Sequence, residues 1–398
     1  MRQKLSALAV ITVAVCMTVP VRGGQATVAA PGNRQPRPPS APRIAPLPDS
    51  EWTAEQRAAV ATITPGTLAD PAIKTLVRLP ALVQAVTPYT RYLTTESTLP
   101  PRVRTLLVLR TAWLCGNDLL WSLHAPGLPA EERRRVAQGV SAPGWSEADK
   151  TLLKTADELF RLSSVTDATW RALSSAYDLH GVMDVVETVN HFTVLSLLYN
   201  SIGIQVDDGA PERLPRDVPY VIAPGAREPA LRQARIAPAE GTGIAVSRTL
   251  ARHERLNAAR QPRANFINRV SGLMPRHREM LILRIGWDTQ SEYEWAQHVG
   301  SVGRARDYGL DPVRIAQGAE APGWDPFEQA ILRATDELYR DAMVSDATWK
   351  ALAARFDAPL LMSAVFTASS YRATSMALNA FGVQLEPSDE RFPKLPGR

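Results

Sequence analysis

Cysteine is nearly absent from this chain, with only Cys16 and Cys115 among 398 residues. That excludes a disulfide scaffold, a zinc ribbon and a cysteine-held iron–sulfur cluster. Lysine is scarce too. Six of the 45 basic residues are lysine, so the net charge of +5 is carried by arginine against 40 acidic residues. The longest basic run is Arg133-Arg134-Arg135, with no aromatic interleaving, so no nucleic-acid footprint is present and a solvated helix face accounts for the run. The six histidines are dispersed, and no His-x₃-His or Cys-x₂-Cys spacing offers a closed first shell. No metal and no organic cofactor is therefore expected. Hydrophobic residues at 45% and charged residues at 21% suit a folded globular chain, long enough for two or three domains.

Residues 1–29 read as an export signal, which makes the mature protein a secreted or cell-envelope one. Met1 to Lys4 is a short positive region, Leu5 to Val19 an apolar core too short to span a bilayer comfortably, and Gly23, Gly24 and Ala26 offer cleavage sites. An uncleaved N-terminal anchor is the alternative; after cleavage no stable membrane segment is expected. Cleavage would remove Cys16 and leave Cys115 alone, and a lone thiol cannot run a two-cysteine redox cycle. Residues 30–48 follow as a proline-rich, semi-rigid linker.

An internal repeat dominates the rest. Arg43-Ile44-Ala45-Pro46 recurs as Arg235-Ile236-Ala237-Pro238. Leu99 to Arg104 matches Leu273 to Arg278 at an offset of 174, which also pairs Leu109-Arg110 with Leu283-Arg284, Trp113 with Trp287, Trp121 with Trp295 and His124 with His298. From Ala142-Pro143-Gly144-Trp145 and Ala321-Pro322-Gly323-Trp324 onward the offset is 179, placing a five-residue shortening in copy one just after His124. Asp157-Glu158-Leu159, Thr166 to Trp170, Asn200, Gly203 and Gln205 all recur at that second offset. The chain divides into copy one over 49–208, a second linker over 209–234 and copy two over 235–390.

Each copy reads as all-α. Arg276 to Trp287, Asp325 to Tyr339 and Leu360 to Ala380 carry helical apolar spacing, and strand-like alternation is missing. The Thr/Ser-Asp-Ala-Thr-Trp segments look like helix starts. One small helical domain could not fully bury such apolar helices, so the copies are expected to pack on each other as a pseudo-dimer and the chain to form a homo-oligomer.

The chemically dense stretch lies in copy two. Asp288 to Ser291 is a plausible helix break, and beyond it Ser291, Glu294 and His298 share one helix face, with Glu292 pointing elsewhere. A carboxylate one turn from an imidazole can pair with it and shuttle a proton. Ser291-Glu292-Tyr293-Glu294 is equally a capping box, which would make Glu294 a structural cap.

Arg-x-Arg-Glu, then Leu-Ile-Leu-Arg-x-x-Trp, then Ser-Glu-Tyr-Glu-Trp-x-x-His resembles the carboxymuconolactone decarboxylase and alkylhydroperoxidase D-like family. The resemblance covers about Arg235 to Pro387 and, more weakly, Arg43 to Asp208. It implies an all-α chain of two tandem alkylhydroperoxidase D-like domains. Peroxidase members carry Cys-x-x-Cys-x-x-x-His with a glutamate upstream. By position the cysteines fall on Ser291 and Glu294, the histidine on His298 and the glutamate on Glu279. Copy one has Asn117, Leu120, His124 and Thr105 there, so copy two is the intact half and copy one a degenerate scaffold. Neither copy holds the thiol pair a peroxidase needs. The resemblance implies instead a cofactor-free decarboxylase, lyase or isomerase acting on a small acidic or lactone-type substrate. Its catalytic residues would be His298, Glu294 and Glu279, with Arg284, Arg278, Ser291, Trp287 and Trp295 binding substrate. A non-catalytic ligand-binding or scaffold protein is the second reading, and a peroxidase the third.

Overall fold

The computed structural model describes residues 31, 34–207, 209, 210 and 212–395. The expected export signal lies outside them. Among the described residues the chain is all-helical, with 17 α-helices and no strand. The first half holds α1 (Ala54–Val60), α2 (Asp70–Leu76), α3 (Pro80–Arg91), α4 (Pro101–Leu114), α5 (Asp118–His124), α6 (Ala130–Gln138), α7 (Glu147–Leu162), α8 (Asp167–Ala176) and α9 (Leu179–Ile202). The second holds α10 (Ala245–Leu250), α11 (Glu254–Asn265), α12 (Pro275–Asp288), α13 (Glu292–Val299), α14 (Pro312–Gln317), α15 (Pro326–Asp341), α16 (Asp346–Ala353) and α17 (Ala358–Phe381). Helices α2 to α9 follow in the same order as α10 to α17. Among the described residues no helix is long and apolar enough to cross a membrane.

Local chemistry explains the boundaries. Thr166 and Ser345 cap α8 and α16 by accepting the backbone N–H three residues on, as their Asp-Ala-Thr-Trp contexts predict. The buried Glu158 and the half-buried Glu337 then take the N–H and hydroxyl of those same caps at 2.8 to 3.0 Å. Helices α9 and α17, 24 residues each, start on Asp178 and Asp357 caps and stop at Gly203 and Gly382, whose φ values of 74° and 67° suit only glycine readily. Both are buried along most of their length and lie against each other at the centre. A single hydrophobic cluster runs from Ile44 to Leu395, so the two repeats share one core.

Several contacts that cross between the halves are reciprocal. Arg43 of the first half donates to Val344 O (2.7 Å) and pairs with Asp346 (2.5 Å), while Arg235 of the second donates to Val165 O (2.9 Å) and pairs with Asp167 (2.5 Å). Asn200 donates to Cys115 O and Ala342 O; Asn379 donates to Thr289 O and Ser163 O. Other crossing contacts have no twin, among them those of His253 Nε2 with Tyr92 Oη (3.0 Å) and with Asp184 (3.2 Å). The buried Arg372 donates to Leu338 O and Phe160 O, both at 2.9 Å, and lies 5.1 and 5.4 Å from the rings of Phe160 and Tyr339.

Candidate functional site

The helix break read at 288–291 is present: α12 ends at Asp288, Gln290 takes a left-handed φ of 52°, and α13 begins at Glu292. The reversal brings His298, near the end of α13, beside Glu279, near the start of α12. His298 Nδ1 lies 2.6 Å from Glu279 Oε2, and its Nε2 lies 2.9 Å from Glu294 Oε1. The three residues are at most 6% exposed. Two ring nitrogens that both face carboxylate oxygens favour the doubly protonated imidazolium, which can donate to each. Burial, the largest influence, favours the neutral ring, but the two carboxylates outweigh it through hydrogen bonds and charge and raise the pKa to about 9.

Arg278 donates from Nε to the other oxygen of Glu279 at 3.2 Å, balancing the second negative charge. Gly303 closes the back of the pair; a Cβ there would collide with the Glu279 carboxylate and the His298 backbone. Tyr371, from α17, stands edge-on to the imidazolium with ring centroids 5.1 Å apart. Burial raises its phenol pKa, and the nearby Glu294 and Glu279 push it the same way. Sequence reasoning missed Tyr371, although matching the long helices at offset 179 pairs it with Phe192.

The structure corrects several sequence-based assignments. No capping box forms at α13, because Ser291 makes no side-chain cap bond and the Glu294 carboxylate is turned to His298. The Ser291 hydroxyl is fully buried and has no hydrogen-bond partner among the described residues. Arg284, expected to bind substrate, is 2% exposed and spends its guanidinium on Asp336 (2.5 Å), Ile315 O and Ala316 O, with Asp288 at 3.4 Å. Arg110 does the same in copy one with Asp157, Val136 O and Ala137 O. Trp287 and Trp295 are core residues, buried against each other and against Phe392. Glu292 does point elsewhere, to Arg391 at 2.9 Å, as Asp118 points to Arg216 at 2.6 Å.

Copy one holds the opposite electrostatic state. His124 packs edge-on against Phe192 with centroids 5.2 Å apart, and its Nε2 has no partner among the described residues. Burial alone lowers its pKa to about 4, so the ring is neutral where His298 is charged. Thr105, at the position of Glu279, keeps its hydroxyl within its own helix on Pro101 O.

Cys115, the one cysteine among the described residues, is fully buried at the end of α4, and burial pushes its thiol up to about 12. A thiol so protonated is a poor nucleophile. N-ethylmaleimide at pH 8 should leave Cys115 unlabelled in the folded protein and label it after denaturation, as read by peptide mass. Rapid labelling of the folded protein would contradict this burial.

Among the described residues no cluster of His, Cys, Asp and Glu is arranged to hold a metal ion. The site is an ion cluster that can store and pass a proton. No family model, curated protein or solved structure matches the chain.

Proposed function

We propose that the chain is a carboxymuconolactone decarboxylase-like protein, two alkylhydroperoxidase D-like halves fused as a pseudo-dimer, in which copy two performs cofactor-free acid–base chemistry. The reaction is of the decarboxylase/lyase or isomerase type, on a small acidic or lactone-type substrate. The observation that carries this reading is the imidazolium held between two carboxylates in copy two, with a neutral, unpaired imidazole at the matched place in copy one. Loss of a carboxylate from an unsaturated acid leaves an enolate-like anion that must be protonated at carbon, and a buried proton store suits that step. Glu279 and Arg278 fix the ring from behind. Glu294 covers Nε2 and is the group that would hand the proton outward. The reciprocal contacts at Arg43 and Arg235 support the pseudo-dimer, and the protein is further proposed to be exported and homo-oligomeric.

The second reading is a non-catalytic ligand-binding or scaffold protein. It is favoured by one observation: both nitrogens of His298 are already occupied, as in a purely structural ion cluster.

A turnover screen with unsaturated lactone acids, run on the wild type, His298→Ala, His124→Ala and Glu294→Gln, separates the two. The acid–base reading expects turnover abolished by His298→Ala and reduced at least 100-fold by Glu294→Gln, with His124→Ala retaining it. Equal losses from the two histidine variants would end the asymmetric site. No turnover of any lactone acid by the folded wild type would favour the scaffold.

A further inference from the structure

A cleft lies outside the His298 cluster, with none of Glu279, Glu294 and His298 in its walls. It has a volume of about 660 Å³ and lies between the 227–235 segment, the start of α13 and the tail beyond α17. Its walls carry Arg227, Arg232, Gln290, Tyr293, Arg391 and Phe392, with Leu231, Leu378, Val383 and Leu385 adding apolar surface.

The charges in it do not cancel. Four arginines face two glutamates. Glu292 is taken by Arg391 at 2.9 Å, and Glu228 accepts the Asp167 N–H while Arg235 pairs with Asp167. Arg227 and Arg232 are left with no ion-pair partner among the described residues. Arg227 touches only the Thr289 carbonyl, and burial lowers its pKa, which marks a guanidinium whose charge is poorly compensated. Arginine's planar fork suits a carboxylate in two-point contact.

The matched place in copy one is built differently. There the matching segment lies flat on the α4–α5 turn: the Pro36 carbonyl rests directly on Gly116, Gln35 donates to Trp113 O at 2.9 Å, and Arg216 reaches both Pro36 O and Gly116 O. Copy two carries Gln290 at the Gly116 position, with its amide folded onto Trp287 O at 2.6 Å. A side chain there keeps a carbonyl from resting on the turn as Pro36 O rests on Gly116, while Arg227 still reaches Thr289 O and Leu231 O still takes the Gln384 amide, as Pro39 O takes that of Gln205.

The geometry points to a binding site for an organic carboxylate with a flat apolar body, its charge met by Arg227 and Arg232 and its body lying against Tyr293 and Phe392. A volume of this size falls in the usual range for small-molecule sites, about 300–1,000 Å³. The site is independent of the acid–base cluster, so each can fail without the other.

Isothermal titration of the full chain with 2-naphthoate, its neutral analogue 2-naphthamide and inorganic phosphate tests it. Naphthoate is expected to bind with one site per chain and at least tenfold more tightly than naphthamide. Arg227→Gln, which keeps a donor for Thr289 O, should weaken naphthoate about tenfold, and the exposed Arg232→Gln should weaken it measurably with an unchanged melting temperature. Equal binding of acid and amide overturns the charge argument. Phosphate bound as tightly as naphthoate overturns the apolar half. No naphthoate binding, or binding unchanged in both folded arginine variants, overturns the site.

Discussion

Arg284→Ala should cost about 3–5 kcal/mol of folding stability, because it leaves a nearly enclosed carboxylate pair without its cation. The guanidinium is 2% exposed and holds α12 to Asp336 of α15 and to the carbonyl end of α14. Removing it strips Asp336 and two carbonyls of their donor and takes the ion-pair partner 3.4 Å from Asp288. Urea denaturation at pH 7 measures the loss, and Arg110→Ala should show a cost of the same order, since Arg110 and Asp157 are both wholly buried. Arg278→Ala, at a partly exposed side chain, should cost about 1 kcal/mol or less. A folded Arg284→Ala protein of wild-type stability that has lost substrate binding would return Arg284 to the role its sequence position suggested.

The two matched histidines should show opposite pH dependences. His298 has its folded pKa raised to about 9 from an unfolded value near 6.5, so its contribution is complete below about pH 6.5 and disappears as pH rises through 9. His124 has its folded pKa lowered to about 4, so folding is opposed as pH falls from about 6.5 toward 4, where only the unfolded chain takes up the proton. His298→Ala should lose about 3 kcal/mol or more at pH 7, because Glu294 is left buried and charged without a cation. That deficit should narrow as the pH rises through 9, where the wild type loses the imidazolium proton that the cluster holds. His124→Ala should instead relieve part of the wild type's loss between pH 6.5 and 4. Stability curves for the three proteins across pH 4–10 decide the matter; parallel curves for the wild type and His298→Ala would show that the histidine is not the charged centre of the cluster.

How much of this was readable beforehand depends on how local each interaction is. The helical character and the break before α13 were legible because apolar spacing and capping residues act within a turn or two. Glu294 and His298, one turn apart, were legible for the same reason. The capping box was misread because Ser291 has the right composition, yet its backbone turns at φ −91° and ψ 89° and its hydroxyl makes no cap bond. The fate of Arg284 was not legible at all, since its partner Asp336 lies 52 residues on. Tyr371 needed the two long helices to be matched, and the cleft is walled by segments as far apart in sequence as Arg227 and Phe392. Composition carries none of that.

Arg372 makes one join between the two repeats one-sided. Its guanidinium sits between Phe160 and Tyr339, which match at the repeat offset of 179, while the residue matched to Arg372 itself is Thr193. Thr193 turns its hydroxyl back onto Val189 O at 2.8 Å, so only one of the two repeats supplies a cation to this buried space. The bonds Arg372 makes to Leu338 O and Phe160 O tie the second half to the first through a group that the matched position cannot duplicate, because a threonine hydroxyl reaches no further than its own helix turn.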